Sequence, residues 1–233
     1  MKKLAIFVEG QTEQIFVEKL LKEIAGRNRI AIEVIAVNGN QLERYTTVIK
    51  NPVVTYETKF YVLIYNSFSD NSVVSDMRDR YTTLTASGYE RVIGLRDVYP
   101  IPISQKSRLI TGLGYSLPQG AIPIDIVLAI MEIETWFLAE YNHFLKIDAS
   151  LTPDRIQESF GFNPKTDDME ARPKPSDDMK QIYNLVGKGY NKSEKQLNRL
   201  ASNLDYEFLY IQLTNSVPSL KEFVGYLDLF LIP

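Results

Sequence analysis

The chain has 233 residues, 45% of them hydrophobic and 24% charged, so it can bury a substantial core and suits one α/β domain with an extension. A net charge of -3 and a pI near 5.4 exclude a broad basic nucleic-acid coat, though not a local basic groove. With no cysteine and one histidine, disulfides, thiolate nucleophiles, cysteine zinc sites and paired-histidine chemistry are excluded, which leaves carboxylates, amides, hydroxyls, Lys, Arg or an oxygen-bound metal.

The chain opens basic and then apolar, and Glu9 interrupts the run too early for a signal peptide. No run approaches the roughly 20 apolar residues of a membrane span, so a cytoplasmic protein without membrane contact is expected. Residues 4–8 read as a buried strand. Thr12 reads as the N-cap of a helix whose Ile15, Phe16, Leu20, Leu21 and Ile24 recur at helical spacing up to Gly26. Residues 30–37 read as a second strand, 42–49 as a short helix, and 60–65 as a third strand apolar on both faces. Val73, Val74, Met77, Tyr81 and Leu84 mark one face of a helix ending at Gly88. Residues 91–95 and 122–131 complete the strands. The alternation predicts a mostly parallel, doubly wound α/β sheet over residues 1–139.

From residue 140 to 233 strand signals fade and a helical C-terminal extension is expected. Thr152-Pro153 places proline at a first helical position. Ser193-Glu194-Lys195-Gln196 and Ser219-Leu220-Lys221-Glu222 are capping-box patterns. Gly112-Leu113-Gly114 lacks the third glycine of a dinucleotide loop, and the stretch from Gly187 to Ser193 lacks a phosphate-loop terminus.

Acidic residues gather at the expected strand ends: Glu9 with Glu13, Asp70, Asp97, and Glu132 with Glu134. Strand ends of one polarity share an edge, and carboxylates converging there repel unless a cation neutralises them. Hard oxygen donors suit Mg2+ or Mn2+, which assist phosphoryl transfer and phosphodiester hydrolysis. Each acid also has a plainer reading. Glu13 lies in a first helical turn, where the dipole favours a negative charge by about 0.3–1 kcal/mol. Asp70 suits a helix start, Asp97 can pair with Arg96 or Arg91, and Glu132 and Glu134 alternate with apolar residues as at a half-exposed strand end. Glu9 is the hardest to read as scaffold, because it ends an apolar strand and precedes a glycine. His143 follows an apolar helix and reads as packing. Residues 165–200 carry mixed charge, a solvated surface or a nucleic-acid contact through Arg172, Lys174, Lys188 and Lys192.

Val8-Glu9-Gly10-Gln11-Thr12-Glu13 resembles the opening of Toprim-type domains, and the Glu9/Glu13 spacing resembles the overcoming-lysogenization-defect nucleases. With residues 94–100, 131–139, 172–176 and 190–193, the chain is similar to a Toprim-like group of uncharacterised bacterial proteins with suspected roles in phage defence or mobile elements. The resemblance implies a Mg2+- or Mn2+-dependent nuclease acting on nucleic acid. Glu9, Glu13 and Asp97 would be catalytic, and Asn66, Asp70, Glu132 and Glu134 would be further ligands. Arg96 and the C-terminal basic residues would handle phosphates. The Asp-x-Asp of such sites is replaced by Asn66 and Phe68. That departure leaves open a catalytically degenerate binding or adaptor protein, with a protein partner or a second copy of the chain.

Overall fold

The computed structural model describes residues 1–39 and 43–231, with the side chain of Asp70 excepted. The chain forms two compact units. The first comprises Met1–Arg96, Ser104–Leu128 and Gly225–Pro233, and the second Asp97–Ile103 and Ala129–Val224. The sequence expectation drew a single cut at residue 139.

The first unit is built on a six-stranded, mostly parallel sheet. Its elements are β1 (Lys2–Val8), α1 (Gln11–Ala25), β2 (Ile30–Gly39), β3 (Arg44–Lys50), β4 (Phe60–Asn66), α2 (Asp70–Ala86), β5 (Arg91–Asp97), α3 (Lys106–Tyr115) and β6 (Ile124–Ala129). The order across the sheet is β3-β2-β4-β1-β5-β6. β1 lies centrally, parallel to β4 and β5, and its residues Leu4 to Val8 are fully buried, as a strand covered on both faces requires. Phe7, Tyr65, Val73, Met77 and Val92 belong to the core between this sheet and α2.

Two expectations change here, and one helix is added. Residues 44–50 form a strand antiparallel to β2, where a short helix was expected over 42–49. The run Tyr45-Thr46-Thr47-Val48-Ile49 is β-branched and aromatic, and that chemistry outweighs its spacing; Leu42 itself lies outside the described residues. The helix α1 begins at Gln11 with Gly10 as its N-cap, so Thr12 sits inside the first turn. Gly112 and Gly114 lie within α3, none of whose residues is buried.

Gly94 of β5 marks how closely α2 approaches the sheet. A β-carbon there would lie 2.6 Å from Met77 Sδ and 3.3 Å from Val73 Cγ1. Gly94→Val is therefore expected to lower stability by about 1–3 kcal/mol through overpacking. Gly112→Ala, with nothing within 4 Å, is expected to be neutral or stabilising. Urea denaturation of the two variants checks the contrast.

The second unit is helical: α4 (Glu134–Ala139), α5 (Asn142–Ile147), α6 (Pro153–Phe160), α7 (Pro175–Asn184), α8 (Glu194–Asn203) and the first half of α9 (Pro218–Leu231). Trp136, fully buried, stacks on Phe223 with ring centroids 5.7 Å apart and donates its indole N–H to Ser219 Oγ at 2.7 Å. Thr152 caps α6, accepting from the Arg155 N–H at 3.1 Å, with Pro153 in the first turn. At the start of α8, Gln196 reaches back to accept from the Ser193 N–H. Ser219 does not cap α9. The helix starts at Pro218, the Ser219 hydroxyl serves Trp136, and its N–H donates to Glu170 at 2.9 Å. No described helix is long and apolar enough to cross a membrane.

Candidate functional site

Within the first unit, Val8, Asn66 and Leu95 stand level at the carboxyl edge of the sheet. The residues that follow them are Glu9, Ser67 and Arg96, and the Ser67 N–H still donates to the Val8 carbonyl at 2.9 Å. Three polar residues of the first turn of α1, Thr12, Glu13 and Gln14, are buried against this edge of the unit, and so are Ser67 and Arg96. A carboxylate oxygen of Glu13 lies 3.3 Å from where a Gly10 β-carbon would stand. The glycine thus leaves room for the carboxylate to fold back over the turn. Its φ of -155° is ordinary extended backbone that any residue adopts.

Asn66 occupies the place of the first aspartate of the expected Asp-x-Asp. Its amide N–H donates to Gln14 Oε1 at 2.9 Å, and its carbonyl oxygen accepts from the Phe68 N–H at 3.0 Å. Both ends of the amide are engaged, one as donor and one as acceptor, which a carboxylate cannot do. Phe68 follows with a positive φ of 64° and an exposed ring. The side chain of Asp70, an expected ligand, lies outside the described residues.

Within the second unit, the turn from β6 into α4 carries Glu132 and Glu134. Asp97 Oδ1 accepts from the backbone N–H of Ile133 at 2.9 Å, so it fixes the segment between the two glutamates. Glu134 is fully buried. Its Oε1 accepts from the Tyr190 hydroxyl at 2.7 Å and lies 2.8 Å from Lys192 Nζ, whereas its Oε2 has no hydrogen-bond partner among the described residues. Glu132 Oε2 accepts from the Ser176 N–H in the first turn of α7 at 2.9 Å, and its Oε1 lies 3.9 Å from Lys192 Nζ. One ammonium therefore serves two carboxylates. Met131 and Lys192, with φ of 59° and 55°, are two of the three non-glycine residues with positive φ among the described residues, and both flank this cluster. Left-handed backbone at residues with a β-carbon is uncommon and concentrates at functional positions.

Burial pushes the Glu132 carboxyl above its usual range, and the neighbouring Glu134 charge adds to this; the Ser176 N–H and Lys192 pull the other way. A carboxyl raised on folding binds more protons in the native than in the unfolded state across the shifted window. Its contribution is therefore lost as pH rises through the ordinary glutamate range and just above it. Relative to Glu132→Gln, which still accepts from Ser176, the wild-type protein should lose thermal stability over that interval. Melting temperatures of both proteins between pH 4 and pH 7 check the sign.

The remaining expected contacts are placed as follows. Arg172 grips Asp178 with two hydrogen bonds of 2.8 and 2.9 Å and lies 4.0 Å over the Phe162 ring. Lys174 is exposed, 3.9 Å from Asp177, and Lys188 is exposed. His143 is fully buried, with Nδ1 2.5 Å from the Glu140 carbonyl oxygen and its ring against Phe144. Among the described residues, no group of three or more His, Cys, Asp or Glu side chains is arranged to hold a metal ion. Tyr190 and the Ser176 N–H are partners that the sequence reading did not assign. Only the adjacency of Tyr190 to Lys192 in the chain hinted at the first.

A family model described as a domain of unknown function, DUF4276, matches residues 8–227. No curated protein gives a significant match, and no solved structure does. The match spans nearly the whole chain, both units included, and the chain belongs to the DUF4276 family.

Proposed function

We propose that the protein is a divalent-cation-dependent phosphodiesterase of Toprim-like type that acts on nucleic acid. The observation that carries this reading is the fully buried Glu134, whose Oε2 has no hydrogen-bond partner among the described residues while Glu132 stands on the same lysine. A buried carboxylate oxygen left without a donor is costly to folding, and a cation is the natural partner of such an atom. The donors are hard oxygens, which fit Mg2+ or Mn2+. Glu132 and Glu134 would hold the ion in the second unit, with Asp97 fixing the turn that presents them. Glu9 and Glu13 are the corresponding acids of the first unit. When bound, the ion supplies positive charge for a transferring phosphoryl group. Lys174 and Lys188, both exposed, are suited to neutralise backbone phosphates, which makes binding salt-dependent.

The test is incubation of purified protein with single- and double-stranded DNA and RNA, with Mg2+ or Mn2+ and with EDTA. Cleavage that needs the metal and disappears in Glu134→Gln and Glu9→Gln supports the reading. Intact polymers under every metal condition overturn it. A second reading, a binding protein that does not cleave, is favoured by the double hydrogen bonding of Asn66 and by the ammonium already set between two glutamates. Retention of labelled nucleic acid without cleavage is its signature.

A further inference from the structure

We infer that Lys192 is a built-in counter-ion of the Glu132/Glu134 pair, which a divalent cation displaces on binding. This rests on the metal reading above and adds a regulator to the same site. Two carboxylates share one ammonium, 2.8 Å from Glu134 and 3.9 Å from Glu132, so within this trio one positive charge faces two negative ones, and a divalent ion in its place would match both. The burial is uneven. The Glu134 side chain is 0% exposed and that of Lys192 38% exposed. The lysine side chain therefore reaches water while the carboxylate it pairs with does not. Glu134 Oε2, without a hydrogen-bond partner among the described residues, marks the position that the ammonium does not satisfy. The remaining contacts hold the carboxylates in place in the absence of an ion: Tyr190 on Glu134 and the Ser176 N–H on Glu132. Lys192 sits in left-handed backbone immediately before Ser193, the N-cap of α8, so its stem starts from a fixed point. Once displaced, the ammonium becomes a mobile cation beside the loaded site, placed to meet a phosphate oxygen. Lys192 thus answers the two glutamates without an ion and a substrate anion with one.

The experiment is Mn2+ titration of the full chain, read by the electron paramagnetic resonance of free Mn2+, for wild type, Lys192→Met, Lys192→Gln and the double variant Lys192→Met/Glu134→Gln. Removing the competing ammonium should tighten Mn2+ binding about tenfold or more in Lys192→Met and Lys192→Gln, and the double variant should lose it. Mn2+ should also raise the melting temperature of Lys192→Met more than that of wild type, because the ion replaces the missing charge. Lys192→Gln retains a donor for Glu134 and serves where the methionine variant folds poorly. If wild type binds Mn2+ and both single variants bind it equally or more weakly, the counter-ion role is overturned while the metal site stands. If no form binds Mn2+, the metal reading fails and this inference fails with it.

Discussion

Glu134→Gln should abolish metal-dependent cleavage without harming the fold. The expected loss in kcat/KM is at least about 100-fold, the upper end of what removing a merely supporting partner of a metal ligand costs. The fold should hold because glutamine still offers an acceptor to the Tyr190 hydroxyl and removes a charge that the native state buries completely. Lys192 loses its closest partner but keeps access to water. A buried charged group with an unsatisfied oxygen is a net cost to folding, so the urea midpoint should be unchanged or higher. Paired kcat/KM and urea measurements on the two proteins check both halves. A variant that melts early would show that Glu134 serves the fold and not the chemistry.

Trp136→Ala should have the opposite signature, a loss of stability of about 3–5 kcal/mol. Trp136 is the largest fully buried side chain, stacks on Phe223 and donates to Ser219. Removing it leaves a cavity inside the second unit and a buried hydroxyl without its donor. Trp136→Phe restores most of the packing but not the hydrogen bond, and should cost about 1–3 kcal/mol for the unpaired Ser219 Oγ. Trp136 lies two residues beyond Glu134 on α4, so the alanine variant should also loosen the carboxylate and weaken Mn2+ binding. Chemical denaturation gives the order of the three proteins.

The central strands were legible because β1 and β4 are continuous apolar runs, and few local structures other than a strand covered on both faces produce one. The segment 44–50 was not, because its apolar spacing fits a helix and only its β-branched content argues for a strand. α3 was missed for a different reason. None of its residues is buried, so it has no apolar face to write a period into the sequence. Among the candidate ligands, Glu9 in the first unit and Glu132 and Glu134 in the second stood out because the end of an apolar strand has no need of a carboxylate. Their partners did not. Lys192 and Tyr190 reach Glu134 across more than fifty residues of chain, and only folding reveals that a lysine offered to phosphates faces two acids. Asn66 was legible as a departure from an aspartate. That it donates to Gln14 and accepts from Phe68 required the first turn of α1 in place.

The most direct test is diffraction from crystals soaked in millimolar Mn2+, with data collected for its anomalous scattering. The expected result is a peak about 2.1 Å from Glu134 Oε2, shared with Glu132, with the Lys192 ammonium turned away from both. No anomalous peak at Glu132 and Glu134, nor at Glu9, Glu13 or Asp97, with Lys192 still on its two glutamates, would contradict a metal-dependent site in this protein.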